Sequence, residues 1–204
     1  MQWQIDPHRH VTEPDLLFVL AGLESRKSFA LELYRQRRAP ILLLSVGRFE
    51  LRKFPLLNPP VPVDLLERTA LIPPPLRHFF VSFESGEVSV ERIPHGPLGT
   101  FSEIRALSAW LKSRPRIASV VVISSAYHLP RLRLCCWAML PASVRVKFLP
   151  SPCQTSAGSP ACSFWTWSNL TLVLSEFVKI PLYLFVILSG AGRKLRRTTG
   201  DPNF

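Results

Sequence analysis

Short apolar runs alternate with amphipathic segments along most of this chain. The run DLLFVLA at 15–21 and the run ILLLS at 41–45 are both bounded by turn residues. Such runs are typical of buried parallel strands. Between them, SRKSFALELYRQRR places Phe29 and Leu33 at helical spacing, and Pro40 ends the predicted helix. The pattern therefore predicts a β-α-β unit.

The middle of the chain departs from this alternation. Residues 54–77 are rich in proline and enclose one short helical stretch, DLLERTA, with Asp64 as its N-cap. We interpret this segment as an ordered excursion over the surface. HFFVSFES and EVSVERI then flank Gly86 and alternate apolar with polar residues, which predicts a hairpin or two short strands.

The alternation then resumes. Thr100 and Glu103 lie three positions apart at the start of a predicted helix, as in a capping box. The run IASVVVISS at 117–125 predicts the strongest strand, and a helix with Pro130 in its first turn follows it. A last strand is predicted at 144–150. This order indicates a three-layer α/β domain, with a mainly parallel sheet and helices on both faces.

The predicted domain covers residues 15–190, after an N-terminal arm at 1–14 and before a basic flexible tail at 191–204. Segment 164–189 is apolar and long enough to cross a bilayer, and the basic GRKLRR follows it. Its charged residues and proline favour instead an apolar C-terminal helix that packs on the domain or lies at an interface, because charges at a bilayer centre are costly. Both alternatives remain open.

The net charge is +11 over 204 residues, which favours anionic partners. The alternative is that many cations only solvate helix faces. The predicted first helix carries several of them: Arg26, Lys27, Arg35, Arg37 and Arg38. No nucleic-acid recognition motif accompanies them, so no nucleic acid is expected.

Four cysteines without a C-x-x-C give no support for a metal or redox site, and the adjacent Cys135 and Cys136 should act as small apolar residues. With no secretory signal at the N-terminus, a cytoplasmic protein is expected.

Polar residues that follow the strongest strand are the best candidates for a binding site. The cluster S-S-x-Y-H-x-x-R supplies Ser124, Ser125, His128 and Arg131. Hydroxyls, a guanidinium fork and a helix N-terminus suit an anion, and an imidazole can move a proton. The alternative is a capping serine, a core histidine and a solvated arginine.

The other candidates also follow predicted strands, where ligands bind in open α/β sheets. They are Gly22, Arg26, Ser45, Gly47, Glu50, Thr100 and Glu103. A capping box explains the last two without any ligand. Glu50 has no evident local structural role, and with His128 it is a candidate for acid/base catalysis.

The segments DLLFVLAG, ALELYRQRRAPILLLSVG with Glu50, GTFSEIRAL and VVVISSAYHLPRLRL resemble the YdcF/SanA/ElyC-like family. The segment SEFVKIPLYLFVILSG is similar to the closing helix of that family, which packs on the domain. The resemblance implies a Rossmann-like domain with a polar pocket, a possible cell-envelope role, and S-adenosylmethionine as one candidate ligand. Within this pattern the chain has SVG where the family has S-G-G, and Ile104 where the family has Asn.

Three functions follow as expectations. The first is a module that binds a small anionic, phosphorylated or nucleotide-like molecule. The second is an enzyme that acts on a phosphorylated small molecule or a lipid-linked envelope precursor. The third is a peripheral membrane factor that makes contact through residues 164–197.

Overall fold

A computed structural model describes residues 13–94, 96, 99–152, 179–181, 183 and 185. The strands are β1 (Leu16–Val19), β2 (Ile41–Gly47), β3 (His78–Glu84), β4 (Glu87–Arg92), β5 (Ser119–Ser124) and β6 (Arg145–Pro150). The α-helices are α1 (Glu24–Arg35), α2 (Leu65–Thr69), α3 (Gly99–Lys112) and α4 (Leu129–Met139). Short 3-10 helices occur at Phe54–Leu57, Pro74–Leu76 and Ala126–His128.

The six strands form one mixed sheet in the order β4-β3-β2-β1-β5-β6. β2, β1, β5 and β6 run parallel to one another, whereas β3 runs antiparallel to both of its neighbours. The predicted hairpin is thus confirmed, and it makes the sheet mixed rather than purely parallel. The chain moves from β1 outward to β2 and later returns to the other side of β1 with β5. The strand order therefore reverses between β1 and β5.

Side chains alternate between the two faces of the sheet along the buried strands, and both faces are covered. On one face, Leu16 and Phe18 pack with α3 and α4. On the other face, Leu17 and Val19 pack with α1 and with the proline-rich excursion. Within that excursion Asp64 caps α2 by accepting a hydrogen bond of 3.0 Å from the Glu67 amide, as predicted.

The buried face of α1 differs from the predicted one. Phe29 and Leu33 are only partly buried, whereas Arg26 and Lys27 are buried with Ala30 and Leu31. Of the cations expected on a solvated helix face, Arg35, Arg37 and Arg38 are exposed. The expectation is wrong for Arg26 and Lys27, because the first turn of α1 begins beside the polar ends of the strands.

Most of the C-terminal segment, the N-terminal arm up to residue 12, and the tail at 191–204 lie outside the described residues. Tyr183 is described, is only 4% exposed, and belongs to the core cluster beneath α3 and α4. This contact agrees with a C-terminal segment that packs on the domain. Among the residues that could be searched, no helix has the length and apolar character needed to span a bilayer.

Candidate functional site

The predicted site residues meet at one edge of the sheet, where the parallel strands end. A cleft of about 850 Å³ opens at this edge. It is lined by Ala21, Gly22, Leu23, Glu24, Ser25, Lys27, Gly47, Arg48, Phe49, Glu50, Lys53, Phe54, Leu57, Pro75, Arg77, His78, Gly99, Thr100 and Glu103. This volume lies within the range of small-molecule sites.

Glu103 is the centre of a buried polar cluster beneath the cleft. It is 4% exposed, and its Oε1 accepts hydrogen bonds from the Ala21 amide at 2.8 Å and from Ser45 Oγ at 2.5 Å. His78 Nε2 lies 3.5 Å from the same oxygen. Burial alone would raise the pKa of Glu103, but hydrogen bonds from His78, Ser45 and Ala21 outweigh it and leave the pKa below its ordinary value.

The capping-box interpretation of Thr100 and Glu103 is therefore wrong. α3 begins at Gly99, which places Thr100 inside the helix, and the Glu103 carboxylate turns toward the strand ends. The T-x-x-E spacing predicts a cap, but a local pattern of two residues contains no information about partners in distant strands. The partners of Glu103 are such residues. Thr100 Oγ1 instead accepts a hydrogen bond of 3.2 Å from Arg131.

The hydrogen bonds of Ser45 have a defined direction. Its single O–H donates to Glu103, so the 2.8 Å contact with His78 Nε2 requires the imidazole to donate. A serine nucleophile needs the opposite arrangement, in which the histidine accepts the hydroxyl proton. Ser45 is also fully buried. The cluster of serine, histidine and glutamate therefore supports the edge of the sheet and is not arranged for acyl transfer.

Glu50 has a structural role that its local sequence does not show. Its carboxylate forms an ion pair with the buried ammonium group of Lys27, and its Oε2 accepts a hydrogen bond of 2.9 Å from the Gly47 amide. Burial lowers the pKa of Lys27, and the carboxylate of Glu50 opposes that effect. Both carboxylate oxygens of Glu50 are engaged, which leaves it poorly placed to act as a general base.

Arg26 is the most unusual residue of this edge. It is 5% exposed, its Nη1 donates a hydrogen bond of 3.3 Å to Ser124 Oγ, and its Nε has no hydrogen-bond partner among the described residues. Within the described part of the chain, no carboxylate oxygen lies within 4.0 Å of this guanidinium. Burial lowers the pKa of Arg26 and the neighbouring Arg131 acts in the same direction, whereas the electrostatic influence of Tyr127, Glu103 and Glu50 opposes them. A guanidinium nevertheless remains charged in proteins.

Gly22 covers this arginine. Its φ of +125° is one that residues with a side chain rarely adopt, and a Cβ placed there would lie 2.6 Å from Arg26 Nη2. Gly22 itself lines the cleft. The guanidinium therefore lies directly beneath a glycine backbone in the cleft wall.

The polar cluster after β5 continues the same edge. Arg131 is 7% exposed, so the solvated-arginine alternative is wrong. Its Nη2 lies 3.3 Å from His128 Nδ1, and its guanidinium lies 5.3 Å from the centre of the Tyr183 ring. Ser125 precedes the 3-10 helix, but its side chain makes no capping hydrogen bond.

The predicted residues thus fall into two adjoining groups. Gly22, Gly47, Glu50, Thr100 and Glu103 line the cleft. The second group lies next to the cleft and contains Arg26, Ser45, Ser124, Ser125, His128 and Arg131. Three of its members contact residues that line the cleft: Arg26 lies beneath Gly22, Ser45 bonds to Glu103, and Arg131 bonds to Thr100.

Sequence reasoning missed His78 and Lys27. His78 begins β3 and pairs with Gly47 at the end of β2, because β3 runs antiparallel to β2 and so starts where β2 ends. A correct direction for β3 would therefore have placed His78 at this edge. Nothing in the local pattern distinguishes Lys27 from the exposed cations of the same helix.

Among the described residues, neither the cysteines nor the possible metal ligands form a second site. Cys135 and Cys136 are buried in the core, and burial raises the pKa of the Cys135 thiol to about 12. They act as small apolar residues, as predicted, while Cys153 and Cys162 lie outside the described residues. No group of histidine, cysteine or carboxylate side chains among the searched residues is arranged to hold a metal ion.

No protein-family model, curated protein or solved structure matches the chain. The functional assignment therefore depends on the geometry of the strand ends.

Proposed function

We propose that the chain is a binding module for a small anionic molecule, phosphorylated or nucleotide-like, held where the strand order reverses between β1 and β5. The observation that carries this proposal is the buried guanidinium of Arg26, which has no carboxylate partner among the described residues. Its hydrogen bond to Ser124 joins the segment after β1 to the end of β5. Ligands of open α/β sheets bind at such reversals.

The energetics favour an anion at this point. A buried cation whose neighbouring carboxylates, Glu103 and Glu50, lie beyond ion-pair distance still costs roughly several kcal/mol in lost hydration. Arg131 adds a second buried guanidinium close enough to lower the pKa of Arg26. An anion bound against the guanidinium would compensate this charge and receive charge-assisted hydrogen bonds. The free energy that the unliganded fold loses by burying this guanidinium is then recovered when the anion binds.

The same electrostatics rank the candidate ligands. A phosphate ester brings one or two negative charges, whereas S-adenosylmethionine combines one carboxylate with a sulfonium and an ammonium group. Beside two guanidinium groups the phosphate ester is favoured. We therefore place phosphorylated or nucleotide-like molecules ahead of S-adenosylmethionine.

Membership of the YdcF/SanA/ElyC-like family, with its Rossmann-like fold and cell-envelope role, is part of the same proposal. It is supported by the quoted motifs and by the position of their polar residues at one edge of an α/β sheet. An enzyme is the less favoured alternative, because the Glu50 carboxylate is engaged by Lys27 and Gly47, and the His128 Nδ1 contacts Arg131.

The experiment is isothermal titration calorimetry with inorganic phosphate, pyrophosphate, AMP, ATP and S-adenosylmethionine. It compares the natural chain with Arg26→Met, and with Arg38→Gln as an exposed cation of the same region. We expect at least one phosphate compound to bind, about tenfold or more weaker binding in Arg26→Met, and no change in Arg38→Gln.

The stability of Arg26→Met supplies a second readout. A buried cation that serves binding should be replaced by an apolar side chain with no loss of unfolding free energy, or with a gain. Phosphate affinity that is the same in Arg26→Met as in the natural chain would refute the proposed site. A large loss of stability in that variant would assign Arg26 a structural role instead.

A further inference from the structure

Exposed apolar side chains concentrate in the connection between β2 and β3, residues 48–77. Of the eight exposed large apolar side chains in the described part of the chain, five lie in this connection. They are Phe49, Leu56, Leu66, Leu71 and Leu76, and Phe49 and Leu71 are 79% and 99% exposed. Isolated exposed leucines are ordinary, but five exposed large apolar side chains within one connection make it a candidate interaction surface.

The packing of the connection does not require these residues. Its inward side chains, which include Leu51, Phe54 and Leu65, are already buried against the sheet. The outward apolar residues therefore form a second set, which the core leaves uncovered. Seven prolines in the connection restrict its backbone, so that little conformational entropy is lost when this set is covered.

Cations accompany the outward apolar residues. Arg48, Arg52, Lys53 and Arg68 are exposed, and the Arg48 guanidinium lies 4.4 Å from the centre of the Phe49 ring. The exposed acidic residues of the connection are Asp64, which caps α2, and Glu67. A rigid surface that combines cations with aromatic and aliphatic side chains is complementary to an anionic lipid interface.

The surface also borders the cleft. Arg48, Phe49 and Lys53 line the cleft, together with the half-exposed Leu23 from the loop after β1. No two of the outward apolar residues are adjacent in the sequence. A fluid bilayer surface admits each of them separately, whereas a folded acidic protein would need a matching pocket for each.

We propose that the connection 48–77 docks on the surface of an anionic bilayer, with Phe49 and Leu71 entering the interface and the mouth of the cleft turned toward the lipid. This inference is independent of the ligand proposed above, because it does not involve Arg26. It also differs from a membrane contact through residues 164–197, since it assigns the contact to the connection between β2 and β3.

The test is co-sedimentation of the full chain with phosphatidylcholine vesicles, with and without phosphatidylglycerol, at low and high salt. We expect binding only to the anionic vesicles and weaker binding in high salt. Phe49→Asn combined with Leu71→Asn should weaken this binding by about tenfold or more. The matched control is Trp137→Asn, which removes a side chain that is 82% exposed on α4 and should leave binding unchanged.

Three results would overturn the inference. One is the absence of binding to anionic vesicles. Another is full binding by the double variant, which would assign the contact to residues 164–197, because that segment is intact there. The last is an equal loss in Trp137→Asn, which would indicate non-specific adsorption. Circular dichroism of each variant, expected to match the natural chain because all three positions are exposed, confirms that the compared proteins are folded.

Discussion

The hydroxyl of Ser45 donates a hydrogen bond of 2.5 Å to the carboxylate of Glu103, which joins the end of β2 to the first turns of α3. The same carboxylate accepts from the Ala21 amide after β1 and lies beside His78 at the start of β3. One buried acidic residue thus holds three strand ends together beneath the cleft. The cleft is therefore built on a rigid polar support.

This support predicts a dependence of stability on acid. The folded-state pKa of Glu103 lies below its ordinary value of 4.5. Its contribution to stability is therefore complete above that pH and is lost as the pH falls through the lowered pKa. Urea unfolding at several pH values below 4.5 should show a shallower loss of unfolding free energy with acid in Glu103→Gln than in the natural chain.

The difference between the two slopes is at most about 1.4 kcal/mol per pH unit, the value for one proton. Glu32→Gln, which alters an exposed carboxylate of α1, should retain the natural slope. Asp15, whose pKa is also lowered, is present in all three proteins and does not affect the comparison. Identical slopes in Glu103→Gln and the natural chain would contradict this account.

The Lys27–Glu50 pair predicts an asymmetry between its two partners. The Lys27 side chain is 1% exposed and that of Glu50 is 15% exposed. Glu50→Gln leaves a fully buried ammonium group without its counter-charge and should cost about 3–5 kcal/mol of unfolding free energy. Lys27→Met leaves a carboxylate that keeps the Gly47 amide and some solvent, and should cost about 1–3 kcal/mol.

Urea unfolding of both variants checks this order. The control is Glu32→Gln, which breaks the exposed pair between Glu32 and Arg35 and should change stability by about 0.5 kcal/mol or less. A larger loss of unfolding free energy in Lys27→Met than in Glu50→Gln would contradict this order, because it would make the carboxylate the partner that is more costly to leave unpaired.

Gly22 and Gly86 separate backbone strain from contact with Arg26. Both have positive φ, but a Cβ at Gly86 would meet nothing within 4 Å, whereas one at Gly22 would meet Arg26 Nη2 at 2.6 Å. Gly86→Ala should lose about 1 kcal/mol from strain alone. Gly22→Ala should lose about 1–3 kcal/mol and should also bind phosphate compounds more weakly. Equal effects on stability and unchanged binding would separate Gly22 from the anion site.

The order of helices and strands was readable from the sequence because it depends on local patterns. Apolar runs such as ILLLS and VVVIS must be buried on both sides, and turn residues mark where they end. The mixed sheet was less accessible. The hairpin was predicted, but its attachment to β2 is a long-range pairing that no local pattern specifies.

Only part of the site can be predicted from the sequence, because local patterns mark the strand ends but not the distant residues that meet there. Strand ends placed Ser45, Ser124 and Arg131 at one edge, because parallel strands carry their polar tips to the same side. The partners of these residues are distant in sequence: Glu103 lies 58 positions from Ser45. Its T-x-x-E spacing indicates a cap. On sequence alone, Arg26 belongs both among the candidates that follow strands and among the cations of a solvated helix face, and only the first of these agrees with its burial.

The most direct test of the anion site is a crystal of the chain soaked in tungstate, a phosphate analogue with a strong anomalous signal. The anomalous map should show a peak within hydrogen-bonding distance of the Arg26 guanidinium. That peak should be missing from crystals of Arg26→Met. A principal peak elsewhere on the molecule, or one that persists in Arg26→Met, would contradict the central claim.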